Sequence, residues 1–216
     1  MEAYYKTVDN RIDYIDGSDL IGQNTIETEI LNGESRSYGL EILFRKAVGD
    51  FTGWIAYTAS KAEQRTLGGN AGGPGINNGN WYNASNDRTH DISLIGSYQL
   101  TQKWSFGAAF VYQTGRPVTF PNGQYEYEGL SIASYSERNA DRLPSYHRFD
   151  ISATYVPNKI PNNRWKGEWV FGIYNVYNRK NAASISFGQN KETGANEATR
   201  TAIFGIVPSV TYNFKF

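Results

Sequence analysis

Two histidines stand beside carboxylates in this sequence, His90 next to Asp91 and His147 three residues before Asp150. Such pairs could in principle move a proton as general acid and base. No serine or second carboxylate stands at a spacing that would specify a catalytic triad, and sequence proximity does not define one. The plainer reading, polar groups bonded to their surroundings near a rim, is the stronger, and the chain is not expected to be an enzyme. Two histidines so far apart make a poor metal site, and the absence of cysteine removes thiolate zinc ligands, disulfides and a cysteine nucleophile. No cofactor is expected. Gly68 to Asn80 is rich in Gly and Asn but lacks the Lys-Ser/Thr ending of a phosphate loop, so it reads as a surface loop. Asn83-Ala84-Ser85 matches a glycosylation acceptor by chance.

Aromatic residues in polar stretches are better candidates for binding. Trp81 and Tyr82 lie in one such stretch and Tyr125, Tyr127 and Tyr135 in another, and rigid amphipathic rings make good ligand platforms. The competing role for these rings is loop-to-loop packing or an interfacial girdle.

The elements that carry these residues repeat with period two. Trp104, Phe106, Ala108, Phe110 and Tyr112 alternate with Ser105, Gly107, Ala109, Val111 and Gln113. The same alternation runs through Tyr38 to Arg45, Ile92 to Leu100, Arg148 to Tyr155 and Phe204 to Phe216. Three further segments, Glu2 to Tyr14, Phe51 to Lys61 and Glu168 to Asn178, have less cleanly sorted faces. The expectation is eight antiparallel strands, with Pro208 causing a ladder defect in the last. Two of them open alike, at Thr89-His90-Asp91-Ile92-Ser93 and Arg148-Phe149-Asp150-Ile151-Ser152.

Connections alternate between short (Val48 to Asp50, Thr101-Gln102, Pro157 to Asn163) and long (Ile15 to Gly33, Thr66 to Asn86, Pro117 to Ser145, Lys180 to Thr199). Long structureless loops are uncommon in compact soluble domains, whereas outer-membrane barrels pair short periplasmic turns with long extracellular loops. About ten residues at ~3.4 Å each, tilted ~45°, span roughly 24 Å, the height of such a barrel's apolar band. Composition agrees. Mean hydropathy is −0.56 although 15% of residues are aromatic, as expected where lipid-facing residues alternate with polar lumen-facing ones. No apolar run approaches the ~20 residues of a spanning helix. With 21 basic and 21 acidic residues the chain has no net pull toward nucleic acid. The fold expected is therefore all-β, an antiparallel up-and-down transmembrane β-barrel segment. Its lumen-facing charges would be Glu41, Arg45, Asp91, Arg148, Asp150, Glu168 and Lys215.

Several motifs resemble the barrel of TonB-dependent receptors: Glu34-Ser35-Arg36-Ser37-Tyr38-Gly39-Leu40-Glu41, Arg88-Thr89-His90-Asp91, Tyr112-Gln113-Thr114-Gly115-Arg116-Pro117, Tyr146-His147-Arg148-Phe149-Asp150, Tyr174-Asn175-Val176-Tyr177-Asn178-Arg179, and the terminal run Gly205 to Phe216. The likeness covers the whole chain and rests on the order and spacing of motifs that are individually weak. It implies a barrel of about 22 strands around a plug, contact with TonB through an N-terminal segment, and energy-coupled import of a scarce solute across the outer membrane of a Gram-negative bacterium. On that reading residues 1–216 are the C-terminal part of the barrel, with plug and earlier strands outside the chain, and the partners are outer-membrane lipid, that missing N-terminal part and the outer-membrane assembly machinery. Tyr212, Phe214 and Phe216 would form the assembly signal, and the lumen charges would face the plug or each other. Two rivals stand beside it: an autonomous eight-stranded outer-membrane barrel, an adhesin or small pore, and a soluble β-rich binding domain.

Overall fold

The structure, a computed structural model, describes residues 1–15, 30–68, 73–135, 137–157, 166–190 and 192–215. Its strands are β1 (Glu2–Tyr14), β2 (Ile30–Lys46), β3 (Phe51–Thr66), β4 (Tyr82–Asn83), β5 (His90–Gln99), β6 (Trp104–Gln113), β7 (Pro117–Val118), β8 (Pro121–Tyr127), β9 (Leu130–Tyr135), β10 (Asp141–Arg142), β11 (Tyr146–Tyr155), β12 (Lys166–Tyr174), β13 (Ser184–Gln189), β14 (Asn196–Thr201) and β15 (Val207–Lys215). Eight of them form one antiparallel wall in the order β1-β2-β3-β5-β6-β11-β12-β15, with β4 paired to the outer end of β3. The expected eight-strand, all-β, up-and-down arrangement is present. The sheet does not close: β1 and β15 are not paired with each other, so the autonomous eight-stranded barrel is not the arrangement seen.

Directly opposed residues in an antiparallel pair point to the same face, so the register assigns both faces of the wall. One row runs Phe44, Ile55, Leu94, Phe110, Phe149, and another runs Tyr98, Phe106, Ala153, Phe171, Val210. The opposite face has the small polar row Ser97, Gly107, Ser152, Gly172, Ser209. The apolar rows are open rather than packed: Phe44 is 66% exposed and Val210 63%. Buried apolar residues among those described are few and lie in or beside the outer loops. A sheet that leaves its Phe, Leu and Tyr rows uncovered is suited to a lipid solvent and poorly suited to water.

The two faces of the first strand looked unsorted because it carries a bulge. Between Val8 and Arg11 the register shifts by one, at Asn10 with its left-handed φ of 56°. Ala3 and Tyr5 lie on the apolar face before the bulge, Ile12 and Tyr14 after it, so odd positions give way to even. The last strand differs from expectation in two ways. It starts at Val207 rather than Phe204, because the Asn178 side chain accepts the Ile206 N–H (3.0 Å) in place of a ladder partner. The ladder to β12 then runs from Tyr174↔Val207 to Lys166↔Lys215 without a shift, so the expected defect at Pro208 is absent. β15 lies at the sheet edge and Pro208 is its second residue, a place where proline is tolerated.

β2 and β3, at 17 and 16 residues, extend past the ten-residue strands β5, β6 and β11 on the long-loop side. In this extension the apolar face turns to charge, with Arg36 paired to Glu63 (2.8 Å) and Arg65 to Glu34. The long connections are not structureless either. Residues 114–145 contain the hairpin β8–β9 and the β7–β10 ladder, and residues 175–206 contain the hairpin β13–β14. The expected loop from Ile15 to Gly33 and the turn after Pro157 lie mostly outside the described residues.

Candidate functional site: a cleft between the outer loops

The long-loop end of the wall has its own small core. Asn77 and Asn78 both adopt left-handed φ (49° and 55°), which turns the chain back over the polar ends of β1 to β3. Ile76 is thereby buried with Leu31 and Tyr82. The Tyr82 hydroxyl donates to Asp13 Oδ2 (3.0 Å) and lies 3.1 Å from Thr66 Oγ1, and burial pushes its pKa up. Gln64 Nε2 donates to the same Asp13 oxygen (3.0 Å). Nearby Asp87, 1% exposed, accepts the Ala62 N–H (2.6 Å) and pairs with Arg142.

The 114–145 connection is fastened to this core by long-range polar bonds. Arg138 Nη1 reaches Asp13 (2.8 Å), and its backbone exchanges two bonds with the Asn77 side chain. Asn139 and Asn83 each donate through their side-chain amides to the other's backbone carbonyl. Arg142 also donates to the Gly115 carbonyl (3.0 Å), where a Cβ on Gly115 would fall 1.6 Å from the Leu143 carbonyl oxygen, so only glycine permits the approach. These bonds anchor the connection that carries β8–β9, and β13–β14 meets it through a ring contact. Phe120 and Phe187 meet edge to face at 5.0 Å, and two adjoining spaces of about 510 and 550 Å³ open around them, sharing Pro121 and Phe187.

The five candidate aromatics have separate fates. Tyr135 lines the cleft. Tyr82 is buried with its hydroxyl engaged. Trp81 lies between Arg36 (4.2 Å) and Arg65 (5.2 Å), side chains on the apolar-face side of the β2–β3 extension, and so caps an ion-pair cluster. Tyr125 and Tyr127 are exposed on the hairpin face opposite the one that carries Gln124 and Ala133 into the cleft. Phe120 and Phe187 were not singled out from sequence; the alternation Ser184-Ile185-Ser186-Phe187 inside a polar loop was the available signal.

The seven charges expected to share one face do share it in the register. Of the two partnerships expected, a plug or each other, the described residues show no ion pair across strands among the seven. Arg148 Nε pairs with Asp150 in its own strand (2.8 Å), and its guanidinium lies 4.1 Å over Tyr174. Asp91 accepts from Gln113 (2.7 Å) and Glu168 from Asn213 (3.0 Å). Glu41 faces Glu2, Lys215 faces Lys166, and Arg45 faces Trp54. Asp150 also receives the Asn175 N–H (2.8 Å), where Asn175, at φ 55°, binds both backbone groups of Arg179 and ends β12 short of the expected Asn178. Neither histidine pairs with its sequence neighbour. His90 and Asp91 fall on opposite faces, as do His147 and Asp150, and the rings bond to Tyr57 (2.9 Å) and Tyr177 (2.7 Å) instead. Of the assembly-signal residues, Tyr212 and Phe214 lie on the apolar face, Tyr212 tilted against Trp169 at 4.7 Å; Phe216 is outside the described residues.

Comparison with known proteins adds one positive result. No curated protein and no solved structure matches the chain. The family described as TonB dependent receptor-like, beta-barrel, matches residues 1–176. This match reaches from β1 through β12, the part of the wall whose ladder sorts apolar from polar residues strand after strand, and the chain therefore belongs to the β-barrel family of TonB-dependent receptors.

Proposed function

We propose that residues 1–216 are the C-terminal wall of an energy-coupled importer that takes up a scarce solute across the outer membrane of a Gram-negative bacterium. The observation that carries this reading is the pair of apolar rows, Phe44 to Phe149 and Tyr98 to Val210, that share one face of the antiparallel wall of a family barrel. In lipid, each unpaired backbone group at an open edge costs several kcal/mol. The free edges of β1 and β15 therefore pair with further strands of the same barrel, and Glu41, Arg45, Asp91, Arg148, Asp150, Glu168 and Lys215 face its interior and a plug. TonB acts through the plug-bearing part, and Tyr212, Phe214 and Phe216 serve the assembly machinery. The wall itself performs no catalysis; its loops receive the solute, with Tyr135 as a contact.

Uptake of a panel of radiolabelled siderophores, cobalamin and sugars tests this in a strain lacking the full-length protein. At least one uptake is lost in that strain, and in the parent strain the same uptake stops with a protonophore. Uptake unchanged across the panel, or loss of a flux that the protonophore leaves intact, would speak for a passive pore.

A further inference from the structure

The cleft between the two loop hairpins has a chemistry that selects among solutes. Asn122 and Gln124 line it from the β8–β9 side, and Phe187, Asn196 and Gln189, whose amide donates to the Gly194 carbonyl (2.8 Å), line it from the β13–β14 side. The side chains of Asn122, Gln124 and Asn196 make no hydrogen bond within the described residues, so their donors and acceptors are available. Charge is scarce. Arg116 borders one space, and Glu197, at the far end of the other, is engaged by Asn190 Nδ2 (2.7 Å).

We propose, on the basis of the importer reading above, that this cleft binds a neutral oligosaccharide. A sugar ring presents an apolar C–H face and an edge of hydroxyls. Aromatic faces such as Phe120, Phe187 and Tyr135 take the first, and amides, each able to donate and accept, take the second. An anionic iron chelate or a phosphorylated solute would find a single basic side chain, Arg116 in the lining of one space, set against the carboxylate of Glu197 in the other. Two adjoining spaces sharing one wall suit a chain of linked rings better than one compact ligand.

The test uses full-length protein in a detergent without a sugar headgroup, titrated with maltohexaose, cellohexaose, xylohexaose and chitohexaose, and in parallel with two anions, oligogalacturonate and a ferric tris-catecholate, and two uncharged competitors, ferrichrome and a capped hexapeptide. At least one neutral hexasaccharide binds, with both anions, ferrichrome and the peptide at least about tenfold weaker. Phe187→Ala and the double change Asn122→Ala/Gln124→Ala each weaken that binding about tenfold or more, while Tyr125→Ala leaves it within about twofold. Heat-modifiable migration and far-UV spectra confirm that each variant is folded. The proposal is overturned if none of the four hexasaccharides binds, if the cleft variants bind as wild type does, or if either anion, ferrichrome or the peptide binds more tightly. Tighter binding of ferrichrome or the tris-catecholate that the cleft variants weaken would remove the oligosaccharide assignment and leave the importer reading standing.

Discussion

The wall and the outer loops of this barrel are built by opposite rules. In the wall, backbone ladders supply the bonds and side chains are sorted by solvent, so a position's face matters more than its neighbours. In the loops, regular ladders are short and side chains supply the bonds. These bonds reach down to the long-loop ends of the wall strands, where Asp13 of β1 joins Gln64 of β3 to Tyr82 and Arg138, residues up to 125 positions away in sequence. A wall position tolerates changes that keep its polarity, whereas a loop position such as Asp87 is defined by particular partners.

The largest effect tests the wall's side of this contrast. Leu94 and Ile95 are adjacent at mid-height in β5 but face opposite ways. Leu94→Arg is expected to cost about 2–4 kcal/mol of folding free energy in lipid vesicles, and Ile95→Arg distinctly less, as measured by urea titration. Equal costs would mean that lipid does not distinguish the faces.

A somewhat smaller effect tests the loops. Asp87→Ala removes the partner of Arg142 and of the Ala62 N–H, at a cost of about 2 kcal/mol. Because the bonds lost join the loop after β4 to the 114–145 connection and to the long-loop end of β3, limited proteolysis should cut within 114–145 while heat-modifiable migration of the barrel persists. Simultaneous loss of both would show that the loops and wall form one cooperative unit. The smallest effect belongs to Trp81, whose ring caps half-buried ion pairs: Trp81→Ala should cost about 1 kcal/mol and leave solute affinity unchanged, whereas Tyr135→Ala weakens it. A loss of affinity on Trp81→Ala would bring Trp81 back as a solute contact.

The same contrast explains what could be read in advance. Period-two alternation located all eight wall strands, because lipid and lumen impose one simple rule on successive residues. It was obscured at the Asn10 bulge, at the Asn175 and Asn178 turns, which shortened β12 and delayed β15, and in β3, where Trp54 stands on the polar face and Lys61 on the apolar one. In the candidate site, Tyr135 was legible as a loop aromatic, but Tyr82 and Trp81 had equal claims by sequence. Their separation depends on Thr66, Asp13, Arg36 and Arg65, partners that only the fold brings near. Phe120 and Phe187 meet across 67 residues, a contact that neither sequence segment encodes alone.

Residues 1–216 contain no cysteine, so a label can be directed to chosen wall positions once any cysteine elsewhere in the full-length protein is replaced. Single cysteines placed in the full-length protein at Leu94, Phe110 and Phe171, and at the neighbouring Ser93, Ala109 and Val170, can be spin-labelled in lipid vesicles and relaxed with oxygen or with a water-soluble nickel chelate. The first three labels should respond to oxygen and the second three to the chelate. No alternation between neighbours, or alternation of opposite sense, would contradict a wall whose apolar face meets lipid.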